Sequence, residues 1–187
     1  IDIHASNIYL REMPQVRISE ETADALVPLA RELNIDFVWI HAAATVLQST
    51  LAHSLNEIGT NCLVVEMGVG MRLTPGYGEQ LTQGILNLMR TQGMWTGPAI
   101  KPRTPIVSRD KVAFLNADAP GIFVPETVHS GKVQEGQCLG IIADPLTGTV
   151  RQEVTAPVDG LLFTLREYPV VCPGSLLARI LMEGETE

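Results

Sequence analysis

Apolar residues in the first 105 positions recur in two alternating patterns, one with helical and one with strand-like spacing. Ser19 precedes two glutamates and a run of leucines and alanines at helical spacing, which predicts a helix over about 20–33. Similar runs, each closed by a glycine, predict helices over about 46–58 and 77–92. This alternation is typical of an α/β layer with a parallel sheet. The residues predicted to face inward are Leu51, Leu55 and Ile58 in the second helix and Leu81, Ile85, Leu88 and Met89 in the third.

Three short apolar runs in this part of the chain end in residues able to bind a metal or transfer a proton, namely His4, His41 and Glu66. If the runs are parallel strands of one sheet, their carboxyl ends meet at the edge where open α/β sheets bind ligands. We therefore expect His4 and Glu66 to come together on neighbouring strands. Asp2 shares a strand face with His4 and is a candidate acceptor for its imidazole. Gly68 is expected to let the backbone approach a substrate closely.

The pattern changes near residue 105. One glycine and three prolines fall within 95–105, so this segment is predicted to be a linker. Beyond it, short apolar runs alternate with glycine-marked turns and show no helical spacing. We therefore predict an α/β part over 1–105 and a small all-β barrel or sandwich over 106–187. Strands of the second part are expected over 121–125, 138–142, 150–155 and 160–165.

Composition and charge argue against several classes of partner. The chain has 187 residues, of which 45% are apolar, an ordinary value for a packed globular protein. Its formal net charge is −8 and it has no Lys/Arg cluster, so we expect no nucleic-acid partner and no anionic membrane partner. No apolar stretch approaches the roughly 20 residues that span a bilayer. Cys62, Cys138 and Cys172 are widely spaced in apolar surroundings, which predicts buried free thiols and a cytoplasmic protein.

Five motifs of the sequence point to a known family. They are Asp2-Ile3-His4, Val64-Val65-Glu66-Met67-Gly68, Val133-Gln134-Glu135-Gly136-Gln137-Cys138-Leu139-Gly140, Ala156-Pro157-Val158-Asp159-Gly160 and Pro173-Gly174-Ser175-Leu176-Leu177-Ala178. Together they resemble the succinylglutamate desuccinylase/aspartoacylase family, whose members are relatives of the zinc carboxypeptidases. The resemblance covers nearly the whole chain, which corresponds to the carboxyl-terminal portion of the family.

The resemblance implies both a fold and an activity. The expected fold is part of a zinc-carboxypeptidase-like α/β domain with a parallel or mixed sheet, followed by a barrel-sandwich domain similar to lipoyl and biotinyl domains. The expected activity is hydrolysis of the amide bond of a small N-acyl amino acid or a related compound, with one zinc ion per complete site. By position, His4 matches the family's later zinc-ligating histidine and Glu66 matches the glutamate that activates water.

These residue types suit that chemistry. A catalytic zinc takes about three protein ligands and keeps one position open, so that a bound water acquires a pKa near 7. A neighbouring carboxylate takes the proton of the water and passes it to the leaving amine. Glu66 is the residue expected to do this, and His4 is the expected ligand.

Recognition of a carboxylate on the substrate requires a cation, and guanidinium groups suit it best. Arg11 and Arg17 flank Pro14 in a segment that we interpret as a loop, and Arg72 follows the Glu66 strand. All three are candidate substrate-binding residues, and each alone is also a plausible solvated surface residue.

Other polar residues extend the candidate pocket. His41 shares the expected sheet edge, where a contact with substrate and a structural role are equally supported. Tyr168-Pro169-Val170 resembles a segment by which the family's β domain reaches toward the substrate channel. Asn7 and Tyr77 are further candidates. His53 and His129 are expected to be surface or core residues.

One motif of the family is missing from this sequence. The family holds zinc with a His-x-x-Glu pair from an earlier loop, whereas the four histidines here are followed three positions later by Asn7, Ala44, Asn56 and Lys132. The 187 residues therefore cannot build the complete zinc site of the family. We expect the chain to be a fragment of a longer polypeptide.

Three alternatives remain open at this point. A biotinyl or lipoyl carrier needs a lysine at the exposed hairpin, and the hairpin at 155–160 has none, since the only lysines are Lys101, Lys111 and Lys132. A non-catalytic interaction module with such a β domain is also compatible with the sequence, and so is a zinc carboxypeptidase that acts on peptides. A β domain that narrows the entrance favours small substrates over peptides. A homo-oligomer is a further expectation that the sequence leaves untested.

Overall fold

The computed structural model describes residues 1–41, 50–109 and 111–182. It groups the chain into two compact units: an α/β unit of residues 1–5, 14–68 and 72–109, and a β unit of residues 6–13, 69–71 and 110–187. The described helices are α1 (Ala23–Arg31), α2 (Leu51–Glu57) and α3 (Pro75–Thr91). The described strands are β1 (Asp2–His4), β2 (Leu10–Ser19), β3 (Phe37–His41), β4 (Val64–Gly68), β5 (Ile106–Ser108), β6 (Val112–Asn116), β7 (Gly121–Pro125), β8 (Gly131–Val133), β9 (Cys138–Ala143), β10 (Val150–Thr155), β11 (Gly160–Arg166), β12 (Val170–Val171) and β13 (Leu176–Met182).

The sheet of the α/β unit runs in the order β1, β4, β2, β3, β5. The pairs β1/β4, β2/β3 and β3/β5 are parallel, as the alternation of helices and strands predicts. One face of the sheet carries β-branched side chains, which α1 and α3 cover to form a buried core. This core includes Val16, Ile18, Val38, Ile40, Val65, Leu26, Ala30 and Leu81.

The first and third predicted helices are confirmed, with shifted ends. The region predicted as one helix over 20–33 is a 3₁₀ turn at Glu20–Thr22 followed by α1. Ser19 precedes the turn, but its hydroxyl contacts the Thr22 hydroxyl at 3.1 Å and caps no backbone N–H. In α3, Leu81 is buried and Ile85 and Leu88 pack against the core, as expected.

The second predicted helix is only partly correct. Of the range 46–58, residues 46–49 lie outside the described part of the chain, and α2 covers Leu51–Glu57. Leu51 is 60% exposed and Ile58 is 75% exposed, so the prediction that they face inward is wrong. Leu51 is the first residue of the helix and Ile58 follows its last, and Ala52 is the residue that the helix buries.

A pair of glycines in α3 provides a test of the packing in the α/β unit. A Cβ at Gly84 would lie 1.9 Å from the carbonyl oxygen of Leu33, whereas a Cβ at Gly78 would meet nothing within 4 Å. Gly84→Ala should therefore lower the free energy of unfolding by about 1–3 kcal/mol or more, since backbone must move. Gly78→Ala should raise it by up to about 1 kcal/mol through helix propensity. Urea denaturation of both variants measures this, and equal effects of the two would contradict the tight α3 contact.

Residues 111–182 of the β unit contain strands and no helix, as expected from their pattern. Strands β11, β13 and β6 pair antiparallel, and β8 and the residues Leu10–Glu12 of β2 also pair with β11. A second sheet has the order β10, β9, β7, β12. All four strands predicted from the sequence in this region are present. The core of the unit includes Phe123, Leu139, Ile142, Leu162, Leu165, Leu177 and Ile180.

The segment around Pro14 corrects the sequence interpretation. Arg11 and Arg17 were predicted to lie in a loop, but both belong to β2, a strand of ten residues. The prediction failed because charged and polar residues interrupt the apolar pattern, and two of them, Glu12 and Gln15, have no exposed surface. Glu12 accepts hydrogen bonds from Thr164 Oγ1 at 2.5 Å and from Arg179 Nη1 at 2.9 Å. Such charge-assisted bonds compensate for the loss of water around a buried carboxylate.

All three cysteines are free thiols, in agreement with the sequence prediction. Their predicted burial holds only for Cys62, because Cys138 is half-buried and Cys172 is exposed. Burial raises the pKa of the Cys62 thiol. No helix among the described residues is both long and apolar enough to cross a membrane.

Candidate functional site

His4 and Glu66 come together as the sequence predicts. Strands β1 and β4 are adjacent and parallel, and their register pairs His4 directly with Glu66. Both residues lie at or near the carboxyl end of a short strand, because each apolar run gives way there to polar or glycine residues. The two side chains therefore project from the same face of the sheet at the edge where parallel sheets bind ligands.

The same face continues across the sheet as a row of polar and aromatic side chains. Arg17 on β2 lies with its Nη1 3.6 Å from Glu66 Oε1. Its guanidinium also stacks over Trp39, its register partner on β3, at 5.6 Å from the ring centroid. Trp39 in turn meets His41 edge to face, with ring centroids 5.2 Å apart. We call these five residues, His4, Glu66, Arg17, Trp39 and His41, the polar row.

The carboxylate of Asp2 lies beside the imidazole of His4. Asp2 Oδ1 lies 3.1 Å from Nε2 of His4, a contact that follows from their two-residue spacing on β1. A carboxylate beside one ring nitrogen, with the other nitrogen left to the metal, is a common arrangement of metal-ligating histidines. The His4 side chain is 50% exposed. It is therefore accessible to a ligand, and the role of Asp2 as acceptor for its ring stays a prediction.

The Glu66 carboxylate is more enclosed than His4, with its side chain 14% exposed. Two residues later, β4 ends at Gly68, whose φ of +70° lets the chain turn at the sheet edge. A Cβ on Gly68 would lie 3.4 Å from Thr74 Oγ1 and 3.8 Å from the Tyr77 ring. These are ordinary contact distances, so it is the positive φ that favours glycine at position 68. Its proposed closeness to a substrate stays a prediction.

The remaining substrate-binding candidates fall in both units. Arg72 is exposed in the α/β unit, and Arg11, Asn7 and Tyr168 belong to the β unit. Asn7 Oδ1 accepts the backbone N–H groups of Tyr9 and Leu10 at 2.8 and 3.0 Å, so this side chain closes a turn before β2. Contact with a substrate stays a prediction for all four.

Two of these residues have partners within the β unit. Arg11 Nε lies 3.2 Å from Glu167 Oε2, forming an ion pair. The Tyr168 ring packs edge to face on Tyr9 with centroids 5.8 Å apart. Arg17 is therefore the candidate cation with an observed contact to Glu66.

Trp39 is the residue of the polar row that the sequence interpretation missed. The strand containing it was predicted correctly, and side chains two residues apart on a strand share a face. Because His41 was already a candidate, the two-residue period could have identified Trp39 as its neighbour. A tryptophan is also a good partner for a guanidinium. His53 lies on α2 and His129 in the β unit, away from the polar row in sequence.

The described residues supply only part of a metal site. His4, oriented by Asp2, has the chemistry of a zinc ligand. Among the described residues no group of three or more His, Cys, Asp and Glu side chains is arranged to hold a metal ion. A catalytic zinc takes about three protein ligands.

Comparison with known proteins adds information on the fold. No family model matches the sequence, and no curated protein matches it. Several solved structures overlay most of the chain, and three of them show the following likeness to it. The ectoine utilization protein EutE of Ruegeria pomeroyi has a TM-score of 0.82 at 17% identity over 96% of this chain and 56% of its own. A succinylglutamate desuccinylase of Silicibacter sp. TM1040 has a TM-score of 0.82 at 20% identity, over 96% of this chain and 56% of its own. A succinylglutamate desuccinylase/aspartoacylase of Rhodobacter sphaeroides has a TM-score of 0.78 at 16% identity, over 99% of this chain and 58% of its own.

These overlays establish the fold. The chain has the mixed α/β fold of succinylglutamate desuccinylase/aspartoacylase proteins, as its motifs predict. At 16–20% identity the likeness carries no residue roles. The chain spans slightly more than half the length of these three proteins.

Proposed function

We propose that this chain forms the carboxyl-terminal part of a zinc-dependent amide hydrolase that removes the acyl group from a small N-acyl amino acid or a related compound. The observation that carries the proposal is the pairing of His4 with Glu66 on adjacent parallel strands. A fold shared with desuccinylase and aspartoacylase proteins supports the same reaction class. In this proposal the β unit is the barrel-sandwich domain that follows the catalytic domain.

The zinc ion would be held in part by His4. Asp2 lies beside Nε2 of His4, which leaves Nδ1 as the nitrogen that would bind the metal. In this proposal the further ligands come from residues other than those described, among which no group of three or more ligands is arranged to hold a metal ion. When bound, zinc polarises an amide carbonyl and lowers the pKa of a bound water.

Glu66 is the proposed proton carrier. Its carboxylate takes a proton from the attacking water as the water oxygen bonds to the carbonyl carbon, and gives it to the amide nitrogen as the C–N bond breaks. The remaining proton of the water passes from the new acid to the amine, so the acyl group leaves as a carboxylate and the amine as an ammonium ion. Arg17, 3.6 Å from Glu66 and stacked on Trp39, restricts where this carboxylate lies. Arg17 is also the proposed contact for a negatively charged group of the substrate.

A non-catalytic interaction module is the second candidate. It is favoured by one observation, namely that the described residues contain no complete group of metal ligands. The two candidates differ in whether His4 binds metal, because an interaction module has no need of zinc.

Zinc binding tests the proposal directly. Stoichiometry and affinity are measured for this chain and for a longer natural polypeptide that contains it. We expect tight one-to-one zinc in the longer polypeptide and weak zinc or none in this chain. His4→Ala in the longer polypeptide should lower the zinc affinity by more than the roughly 10–100-fold that is typical when only a residue beside a ligand is replaced. His53→Ala, a change of the same kind on α2, should leave affinity unchanged. Equal zinc affinity in His4→Ala and the parent would exclude His4 as a ligand.

A further inference from the structure

The β unit contains a small cavity whose lining includes no residue of the polar row. Its volume is about 260 Å³. Pockets for drug-sized molecules measure roughly 300–1,000 Å³, so this one suits a smaller ligand. The cavity is lined by Arg11, Pro125, Thr127, His129, Leu165, Arg166 and Glu167.

Arg166 gives the cavity a buried positive charge. The residue is 7% exposed, and burial lowers the pKa of its guanidinium. Its three nitrogens donate to the backbone carbonyls of Tyr168, Val170 and Leu176 at 2.8, 2.7 and 3.1 Å. A guanidinium has five N–H groups, so one N–H on each Nη has no acceptor within the described chain.

No carboxylate among the described residues pairs with Arg166. Arg166 instead makes a cation–π contact with the Tyr9 ring, whose centroid lies 5.1 Å from Cζ of the guanidinium. A ring face compensates a buried cation only in part. A buried charge without a partner of opposite sign is costly, and a bound anion would reduce that cost.

The other charges of the lining nearly cancel. Arg11 and Glu167 form an ion pair through two contacts, at 3.2 and 3.4 Å. Glu12 lies on the same strand as Arg11, but Thr164 and Arg179 engage its carboxylate. The cavity therefore carries about one positive charge in a chain whose formal net charge is −8.

His129 contributes a neutral ring to the lining. Its Nε2 lies 3.1 Å from the carbonyl oxygen of Phe163, and its Nδ1 lies 2.8 Å from Ser130 Oγ. Since a carbonyl can only accept, Nε2 carries the proton and Nδ1 accepts from the serine hydroxyl. Burial is the main cause that lowers the pKa of His129, and the charge of Arg11 lowers it further.

We propose that this cavity, the Arg166 cavity, binds a small oxyanion with a planar or tetrahedral group of oxygens, as in a carboxylate or inorganic phosphate. Arg166 supplies the charge and two N–H donors, and the Thr127 hydroxyl supplies a further donor. The site consists only of residues of the β unit, so the proposal does not depend on the hydrolase reaction.

Calorimetric titration of the whole chain with sodium acetate and with inorganic phosphate tests this proposal, against sodium chloride at equal ionic strength. We expect saturable one-to-one binding of at least one oxyanion and none of chloride. Tighter binding of acetate than of phosphate indicates a carboxylate ligand, whereas tighter binding of phosphate indicates a phosphate ligand. The ¹H–¹³C signal of the His129 ring provides a second measurement, because an anion nearby should raise the pKa of His129.

Three variants locate the binding. Arg166→Lys keeps a positive charge but loses the planar guanidinium with its paired N–H donors. It should lower the affinity for the anion by about tenfold or more. Thr127→Val preserves the shape of the side chain and should weaken it several-fold. Arg151→Lys is the matched control and should leave anion binding unchanged, because Arg151 is another arginine of the β unit, paired with Asp144. If Arg166→Lys fails to fold, the Thr127→Val result and the His129 signal decide.

Two results would overturn the proposal. The first is the absence of saturable oxyanion binding together with an unchanged His129 signal. The second is binding that both Thr127→Val and Arg166→Lys leave intact, which would place the anion elsewhere whatever the effect of the Arg151 control. Neither result bears on zinc or on Glu66.

Discussion

Replacing Glu66 by glutamine should lower the turnover of N-acyl amino acids by about a hundredfold to ten-thousandfold, the usual contribution of a general base. Glutamine has the size and shape of glutamate and can still lie between His4 and Arg17, but its amide cannot accept the proton of water. The measurement is release of free amine from N-acetyl and N-succinyl amino acids by the zinc-loaded polypeptide that contains this chain. Zinc content should stay unchanged in Glu66→Gln.

Glu79→Gln is the matched control for this experiment. Glu79 is an exposed glutamate of the same unit, on α3, and the change removes one negative charge just as Glu66→Gln does. It should leave turnover and zinc content unaltered. If Glu66→Gln retained the parent turnover, Glu66 would not be the base and the hydrolase mechanism proposed for the polar row would fail.

The placement of His4 and Glu66 could be predicted because local sequence determines it. Each residue ends a short apolar run, and parallel strands end at a common edge. The strand register then brings the two side chains together, although some 60 residues separate them in the sequence. Arg17 enters the same row only through β2, the strand that the apolar pattern did not reveal, and there it meets Trp39 of β3.

Strand β2 was missed because its polar residues are buried against partners that are distant in sequence. A buried glutamate such as Glu12 looks like a solvated surface residue until Thr164 and Arg179 are known to lie beside it. Apolar periodicity reports which residues avoid water and carries no information on polar residues that are paired inside. Similarly, no local change of composition indicates that residues 6–13 and 69–71 group with the β unit.

This buried pair should be among the larger contributors to stability in the β unit. Glu12 is fully buried, and Glu12→Ala removes the carboxylate that accepts hydrogen bonds from Arg179 and Thr164. Breaking a buried ion pair by removing one partner typically costs about 3–5 kcal/mol. We therefore expect a decrease of that size in the free energy of unfolding, measured by urea denaturation with the fluorescence and circular-dichroism signals followed separately.

The size of the loss alone does not show whether it comes from a lost contact or from a charge left without its partner. The double variant Glu12→Met/Arg179→Met separates the two, because apolar residues of similar volume leave neither charge behind. It should be less destabilised than Glu12→Ala. Glu135→Ala, at an exposed position of the same unit, should change stability by no more than about 0.5 kcal/mol. A double variant as unstable as Glu12→Ala would mean that the ion pair itself stabilises the β unit, beyond avoiding an uncompensated charge.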